Sequence, residues 1–273
     1  NLKYISVVGT NGKYSTIQAI KAILKDANIN CNIYISPHIQ KINERYEYNN
    51  REISDEELSR LLLKVKEINN NDSITYFEIL TAAFFYEANK YKNNINIIEA
   101  GLFHRFDATN IIKLNLASVV TAIGLDHLDW LPKNEQTIDK IIFEKTSSLL
   151  NSKIVVSKQS SNEISNKIKD SIKNNSSKKL IFGNDFNYSL TENGFFYYED
   201  KYGGLKLPLP NLEGEFQLSN ITTAIATVRN IEEINVSDEN IKNGITKIKS
   251  IARFQEIKNG KLKDLVKKNK IYI

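Results

Sequence analysis

The chain has 273 residues, 41% hydrophobic and 25% charged, and its 37 lysines and arginines against 32 aspartates and glutamates give a net charge of +5. These values fit an ordinary globular chain of one large domain or two small ones, with no apolar run near the roughly 18 residues of a membrane span and no signal-peptide pattern. A single cysteine, Cys31, excludes an internal disulfide framework and fits a reducing cytoplasm, while the lysines, clustered only from Lys258 to Lys270, carry no interleaved aromatic motif of a nucleic-acid surface.

In chain order, residues 4–8 read as a buried strand that runs into Gly9-Thr10-Asn11-Gly12-Lys13-Tyr14-Ser15-Thr16. A helix over 15–26 follows, with Ile17, Ile20, Ile23 and Leu24 on one face, and then a second strand over 31–36. Strand, helix, strand in this order makes a βαβ unit with parallel strands. Residues 36–51 read as a loop. Ser54-Asp55-Glu56-Glu57 is a capping box that starts a helix carrying Leu58, Leu61, Leu62, Val65 and Ile68. Residues 75–91 read as a helix, 95–99 and 117–123 as strands, 137–149 as a helix and 153–157 as a strand. This alternation predicts an α/β fold with a P-loop-type, mostly parallel sheet flanked by helices. Short strand candidates then follow at 180–182, 187–190, 195–198 and 205–207, punctuated by Asn193-Gly194 and Gly203-Gly204. They predict a small antiparallel β addition over 180–210. Helices resume at 217–229 and 237–248, and residues 270–273 read as a strand just begun.

The chemistry concentrates in six segments. The glycine loop comes first: two glycines let the backbone turn, Lys13 adds charge, and a helix begins with unpaired N–H groups, which suits nucleotide phosphate. Tyr14 separates Lys13 from Ser15, so the common G-x-x-x-x-G-K-[ST] pattern is not met. Glu78 sits among aromatic and aliphatic residues on a helix. It either faces water or serves as a magnesium ligand beside the loop. Gly124-Leu125-Asp126-His127-Leu128-Asp129-Trp130 follows a strand directly, at the end where open α/β sheets bind ligands. Phe143-Glu144-Lys145-Thr146, Gln217-Leu218-Ser219-Asn220 and Arg253-Phe254-Gln255 complete the set, each anonymous by itself.

Together these segments resemble the folylpolyglutamate synthase/dihydrofolate synthase family of the Mur ligase superfamily. Further matches are Ser36-Pro37-His38, Phe77-Glu78, and Arg105 followed by Asp107-Ala108-Thr109-Asn110, all in the family's order along nearly the whole chain. The resemblance implies an ADP-forming ligase that joins L-glutamate to a folate or dihydropteroate carboxylate through an acyl phosphate. It implies ATP contacts at Gly9, Thr10, Asn11, Gly12, Lys13, Ser15, Thr16, Asn220 and Arg253. It implies two magnesium sites, with Ser15 and Glu78 at one and His127 at the other. Lys13, Lys145 and His127 would be catalytic, and Lys145 would carry a carbamate. Ser36, Pro37, His38, Arg105, Asp107 and Asn110 would lie on the folate side.

Two stretches depart from the family pattern: Tyr14 stands where a glycine is usual, and Gly101-Leu102-Phe103-His104-Arg105 replaces Gly-Leu-Gly-Gly-Arg. The chain has no methionine, opens on a core strand and ends on an incipient one. It is therefore expected to be a segment: residues 1–250 a central ATP-binding domain, and 251–273 a hinge and the first strand of a further domain, inactive as a ligase alone. The expected protein is a cytoplasmic monomer acting on small molecules, without nucleic acid or membrane. The alternatives are a UDP-muramoyl amino-acid ligase of the same superfamily and a non-catalytic nucleotide-binding module.

Overall fold

The computed structural model describes residues 2–192, 194–249, 256–257, 259–266 and 270–272. In the first two thirds of the chain, strands alternate with helices: β1 (Lys3–Val8), α1 (Lys13–Asp26), β2 (Cys31–Tyr34), β3 (Tyr46–Tyr48), β4 (Arg51–Glu52), α2 (Asp55–Asn69), α3 (Tyr76–Ala88), β5 (Ile95–Glu99), β6 (Ala117–Val120), α4 (Ile138–Thr146), β7 (Lys153–Val156), α5 (Asn162–Ile172) and β8 (Lys178–Ile181). These strands form one eight-stranded sheet in the order β4-β3-β2-β5-β1-β6-β7-β8. From β2 to β8 every neighbouring pair is parallel, and β3 and β4 extend the β2 edge in antiparallel fashion. Helices cover both faces, so β2, β5 and β6 are buried at every residue.

Alternation along the strands sends side chains to two sides. On one side Ile5, Val7, Ile95, Ile97 and Val119 pack against α1 and two later helices, α6 (Glu215–Arg229) and α7 (Asp238–Ile245). On the other, Ile98, Tyr34, Leu80 and Phe84 make a core under α2 and α3, while Val8, Val120, Ile141, Ile154 and Ile168 make one under α4 and α5. A three-stranded antiparallel sheet, ordered β11-β10-β9, is built from β9 (Phe186–Leu190), β10 (Phe195–Asp200) and β11 (Gly203–Pro208). Its Phe186, Phe196, Tyr198 and Leu207 join the α1–α6 core. A short helix, α8 (Lys261–Val266), follows α7. Among the described residues, no helix is long and apolar enough to cross a membrane.

Three expectations are corrected. The 36–51 stretch is not all loop, because it forms β3 and a tight hairpin into β4. Asn49 and Asn50 supply the positive φ values, 53° and 64°, that such a turn requires. Residues 180–182 do not open the antiparallel addition. Leu180 and Ile181 belong to β8, paired parallel to β7 after a crossover through α5, so the addition spans Phe186 to Pro208. At the C-terminal side Tyr272 makes an isolated bridge with Glu256, and the described residues of 270–273 form no strand. The expected boundary between residues 250 and 251 lies outside the described residues.

Candidate active site

Strand β1 has β5 on one side and β6 on the other, so the loop after β1 opens into the crevice where an α/β sheet reverses its winding. Two glycines shape that loop. Gly9 has φ +152°, and a Cβ there would come within 2.0 Å of Thr121 Oγ1. Gly12 has φ +88°, and a Cβ there would come within 2.3 Å of Asn220 Oδ1. Gly12 thus lets Asn220, from the first turns of α6, back directly onto the loop. The amides of Thr10 and Asn11 donate to Ala122 O at 2.9 and 3.0 Å, tying the loop to the segment after β6. Gly12 caps α1 with no side-chain hydrogen bond and no acidic residue in the first turn, which leaves the helix N-terminus open to an anion. The Tyr14 ring packs partly buried against the α1–α6 core.

Two lysines converge on this loop. Lys13 Nζ donates to Gly9 O at 3.2 Å and Thr10 O at 3.3 Å. Lys145, from α4, is 2% exposed and donates to the same Gly9 O at 3.1 Å and to Leu102 O at 3.0 Å. Burial, helped by the charge on Lys13, pulls the Lys145 ammonium down to about 8. The carboxylate beside the pair is Glu99, at the end of β5. It is 5% exposed, lies 3.7 Å from Lys13 Nζ, and accepts the Ser36 N–H at 3.1 Å. Sequence reasoning passed over Glu99; the available signal was a charged residue closing an otherwise apolar buried strand.

Glu78 is held by the start of its own helix. It is exposed at the third position of α3, where its Oε2 accepts from Thr75 N at 2.8 Å and Thr75 Oγ1 at 2.6 Å while its N–H returns to Thr75 Oγ1. This capping box occupies the carboxylate expected for magnesium. His127 adopts φ 54° in the loop after β6, with Nε2 3.3 Å from Asp126 Oδ2 and its ring edge-on to Phe103. Partial burial lowers its basicity against the opposing pull of Asp126. The exposed Trp130 closes the 3-10 turn that follows. Among the described residues no three His, Cys, Asp or Glu side chains gather as a metal cluster. The buried Ser15 hydroxyl and the Glu99 carboxylate are hard oxygen donors of the kind magnesium takes alongside phosphate and water.

A cavity of about 640 Å³ runs from the loop toward the antiparallel sheet, lined by Asn11, Gly12, Ser15, Tyr188, Phe216 and Asn220 among others. Lys158 stands over the Tyr188 ring at 5.5 Å. Thr16 Oγ1 is buried near the loop without a hydrogen-bond partner among the described residues. Arg253 lies outside the described residues.

The segment expected on the folate side turns partly inward. Asp107 Oδ2 accepts from Gly101 N and Leu102 N, and Oδ1 from Thr109 N and Oγ1, which braces the loop after β5. Burial raises its pKa against those bonds. Arg105 forms a two-point ion pair with Glu144 of α4, at 2.9 and 2.7 Å, and Asn110 donates to Arg105 O. His104 is buried, with Nδ1 2.9 Å from Ser148 Oγ, and burial drives its basicity down to about 4. Ser36 precedes a cis Pro37, and His38 Nδ1 accepts from Arg45 Nε at 3.0 Å. Arg45 is buried beside the Tyr34 hydroxyl and forms no ion pair with a carboxylate among the described residues. Sequence reasoning did not single it out, because nothing local marks an arginine in a polar stretch as buried.

Residues 7–228 match the Mur ligase middle domain family. The chain is 30% identical over 251 residues to the dihydrofolate synthase/folylpolyglutamate synthase of Escherichia coli strain K12, covering 92% of this chain and 57% of that protein. The protein of the same name from Haemophilus influenzae is 29% identical over 266 residues, again with 57% of its length covered. Among solved structures, E. coli FolC in complex with ADP superposes with a TM-score of 0.82 at 29% identity, over 93% of this chain and 59% of that one. The Yersinia pestis bifunctional folylpolyglutamate synthase/dihydrofolate synthase complexed with AMPPNP and Mn ion gives the same TM-score, identity and coverage. The chain therefore spans less than two thirds of the length of these relatives.

Proposed function

Because the chain belongs to the Mur ligase middle-domain family, we propose that it forms the nucleotide-binding, phosphoryl-transferring part of an ATP-dependent ligase that joins L-glutamate to a folate or dihydropteroate carboxylate. The observation that carries this reading is the convergence of Lys13, Lys145 and Glu99 around Gly9, at the open N-terminus of α1. The relatives' names supply the folate substrate class, and the reading is of a cytoplasmic monomer.

The substrate carboxylate attacks the γ-phosphorus of ATP, the bond to the β–γ bridging oxygen breaks, and ADP leaves an acyl phosphate behind. The amino group of glutamate adds to the acyl carbon, loses a proton and expels phosphate. Such chemistry needs alignment and charge neutralisation more than covalent participation. Gly9, Thr10, Asn11, Gly12 and the first-turn amides of α1 through Ser15 cradle the phosphates, with the Thr16 hydroxyl beside them. Lys13 leaves its carbonyl partners for the β- and γ-oxygens. Ser15 and Glu99 would hold magnesium, which supplies charge neutralisation on the transferring phosphoryl group. In this assignment Glu99 takes the role expected of Glu78. His127 is kept for a second ion, as a neutral imidazole. Asn220 holds the far wall, where Tyr188 and Phe216 offer flat faces to the base. Lys145, depressed toward 8, is neutral often enough near physiological pH to take up carbon dioxide as a carbamate. Ser36, Pro37, His38 and Arg45 face the pterin substrate, while Arg105, Asp107 and Asn110 shape the loop beside it.

Calorimetry on the 273-residue chain tests the nucleotide half of this reading: MgATP binds, and Lys13→Ala removes binding. Thermal shifts with dihydropteroate against UDP-muramoyl peptides test the substrate half. Stabilisation by the UDP-muramoyl compounds alone would assign the chain to a cell-wall ligase.

A further inference from the structure

A second cleft lies away from the nucleotide end. The register of β2 with β3 sets Tyr46 beside Tyr34 at the carboxyl end of β2, so Tyr48 lies toward the amino ends of the strands. There a cavity of about 370 Å³ opens between α2, α3 and the β3–β4 hairpin, and Tyr48 lines it together with Arg51, Arg60, Lys64, Tyr86 and Tyr91. Lys90, Glu57 and Glu87 complete its charged rim.

Three of the four cations are already engaged. Arg51 grips Glu57 at 3.0 and 2.7 Å, Lys90 pairs with Glu87 at 2.6 Å, and Lys64 pairs with Glu67 at 2.9 Å. Arg60 differs. Its Nε donates to Glu56 O at 3.3 Å, and its guanidinium pairs with no carboxylate among the described residues. Tyr48 is equally unusual. The residue is 4% exposed, and its hydroxyl is buried without a hydrogen-bond partner among the described residues. Its ring stacks on Tyr91 at 6.0 Å and on Phe84 at 5.8 Å. A buried hydroxyl left unmet is costly, and a guanidinium fork suits a planar or tetrahedral oxyanion.

We propose that this cleft binds a small organic anion built from a planar ring and one carboxylate or phosphate group. The unpaired guanidinium of Arg60 selects an anion. The tyrosine rings select a flat partner. The volume falls in the ordinary range for a small-molecule site and is too small and too concave for a protein or nucleic-acid surface. Arg60 holds the acidic group, and the ring lies against Tyr86 and Tyr91. The site is independent of the nucleotide-binding loop.

The test uses the 273-residue chain with tyrosines labelled at the ring Cζ, in the presence of saturating MgAMPPCP. Phenyl phosphate and benzoate are the ring-bearing probes, and inorganic phosphate is the ringless one. The expected result is saturable shifts of the Tyr48, Tyr86 and Tyr91 resonances by a ring-bearing probe at about 1 mM or below. Binding weakens about tenfold in Arg60→Ala. Tyr48→Phe keeps the ring and therefore the fold, and it weakens binding without lowering thermal stability. The tighter of the two ring-bearing probes identifies the acidic group. The proposal is overturned by unmoved tyrosine resonances, by equal affinity in Arg60→Ala, or by inorganic phosphate binding as tightly as either ring compound. These resonances report the cleft alone, so failure here leaves the nucleotide reading standing, and failure of MgATP binding leaves this one testable.

Discussion

Gly9 presents one carbonyl oxygen to two ammonium groups, Lys13 and Lys145. The arrangement suits a loop that awaits an anion, and burial pulls the Lys145 ammonium down to about 8. An amine whose pKa falls from 10.5 to about 8 on folding binds fewer protons folded than unfolded between those values. Stability should therefore rise with pH across that window. Urea denaturation of the wild type and Lys145→Met from pH 6 to pH 10 measures this: the wild type should gain relative to the variant as pH climbs past about 8. A flat difference would mean that the folded chain holds the Lys145 proton as firmly as the unfolded chain does, with no depression to about 8. The two candidate carboxylates separate just as cleanly. Glu99→Gln should weaken MgATP binding about tenfold or more, some 1.4 kcal/mol, while sparing binding in the absence of magnesium. Glu78→Gln should leave MgATP affinity unchanged and only loosen the start of α3. Calorimetry with and without magnesium distinguishes them.

The element that aligns Lys145 is a strap and not a strand. Leu102 to Arg105 lies along α4. His104 N and Arg105 N donate to Glu144 O at 3.2 and 3.0 Å, His104 meets Ser148, Arg105 grips Glu144, and Leu102 O receives Lys145. Phe103 and His104 fill a stretch that departs from the glycines of the family pattern, and the ring of Phe103 lies 5.5 Å from Lys145 Nζ. His104→Ala removes a buried ring and orphans Ser148, so a loss of about 2–4 kcal/mol is expected. Because the strap also fixes Lys145, MgATP affinity should fall as well, and unchanged affinity would reduce His104 to a packing residue. Local pattern made some elements legible and hid others. The α1 and α2 faces were plain from apolar spacing, and Ser54 announced its helix. Helix α5 was invisible because only Ile164, Ile168 and Ile172 mark its buried side in a polar run. Strand β3 was hidden by its three-residue length and by a turn that uses asparagine where glycine is the usual signal. Thr75-x-x-Glu78 is itself a capping-box spacing, and in the structure Thr75 is the partner of the Glu78 carboxylate.

At the scale of the whole molecule, the site is assembled from chain ends that are far apart in sequence: residue 9 after β1, Glu99 closing β5, His127 beyond β6, Lys145 in α4 and Asn220 in α6. The parallel sheet brings them together because right-handed crossovers place every carboxyl end on one edge. That is why the loop was legible from its own residues while its neighbours required a fold. Nucleotide binding should therefore slow amide exchange in several segments at once: residues 9–16, the loops after β5 and β6, and the start of α6. The β3–β4 hairpin at the opposite end should keep its rates. Hydrogen exchange with and without MgATP reads this pattern, and protection confined to residues 9–16 would show that the other segments do not close on the nucleotide.

Trp130, the single tryptophan of the chain, stands 71% exposed three residues after His127. The protein thus carries its own optical probe on the rim of the crevice, against a background of tyrosines whose light can be avoided by choice of excitation. In the free chain its emission should be that of an indole in water and should be readily quenched by iodide. Anything that settles over the β6 end of the sheet, whether substrate or a neighbouring domain, should shift that emission to the blue and shield it from the quencher. Closure can then be timed by stopped flow without a label.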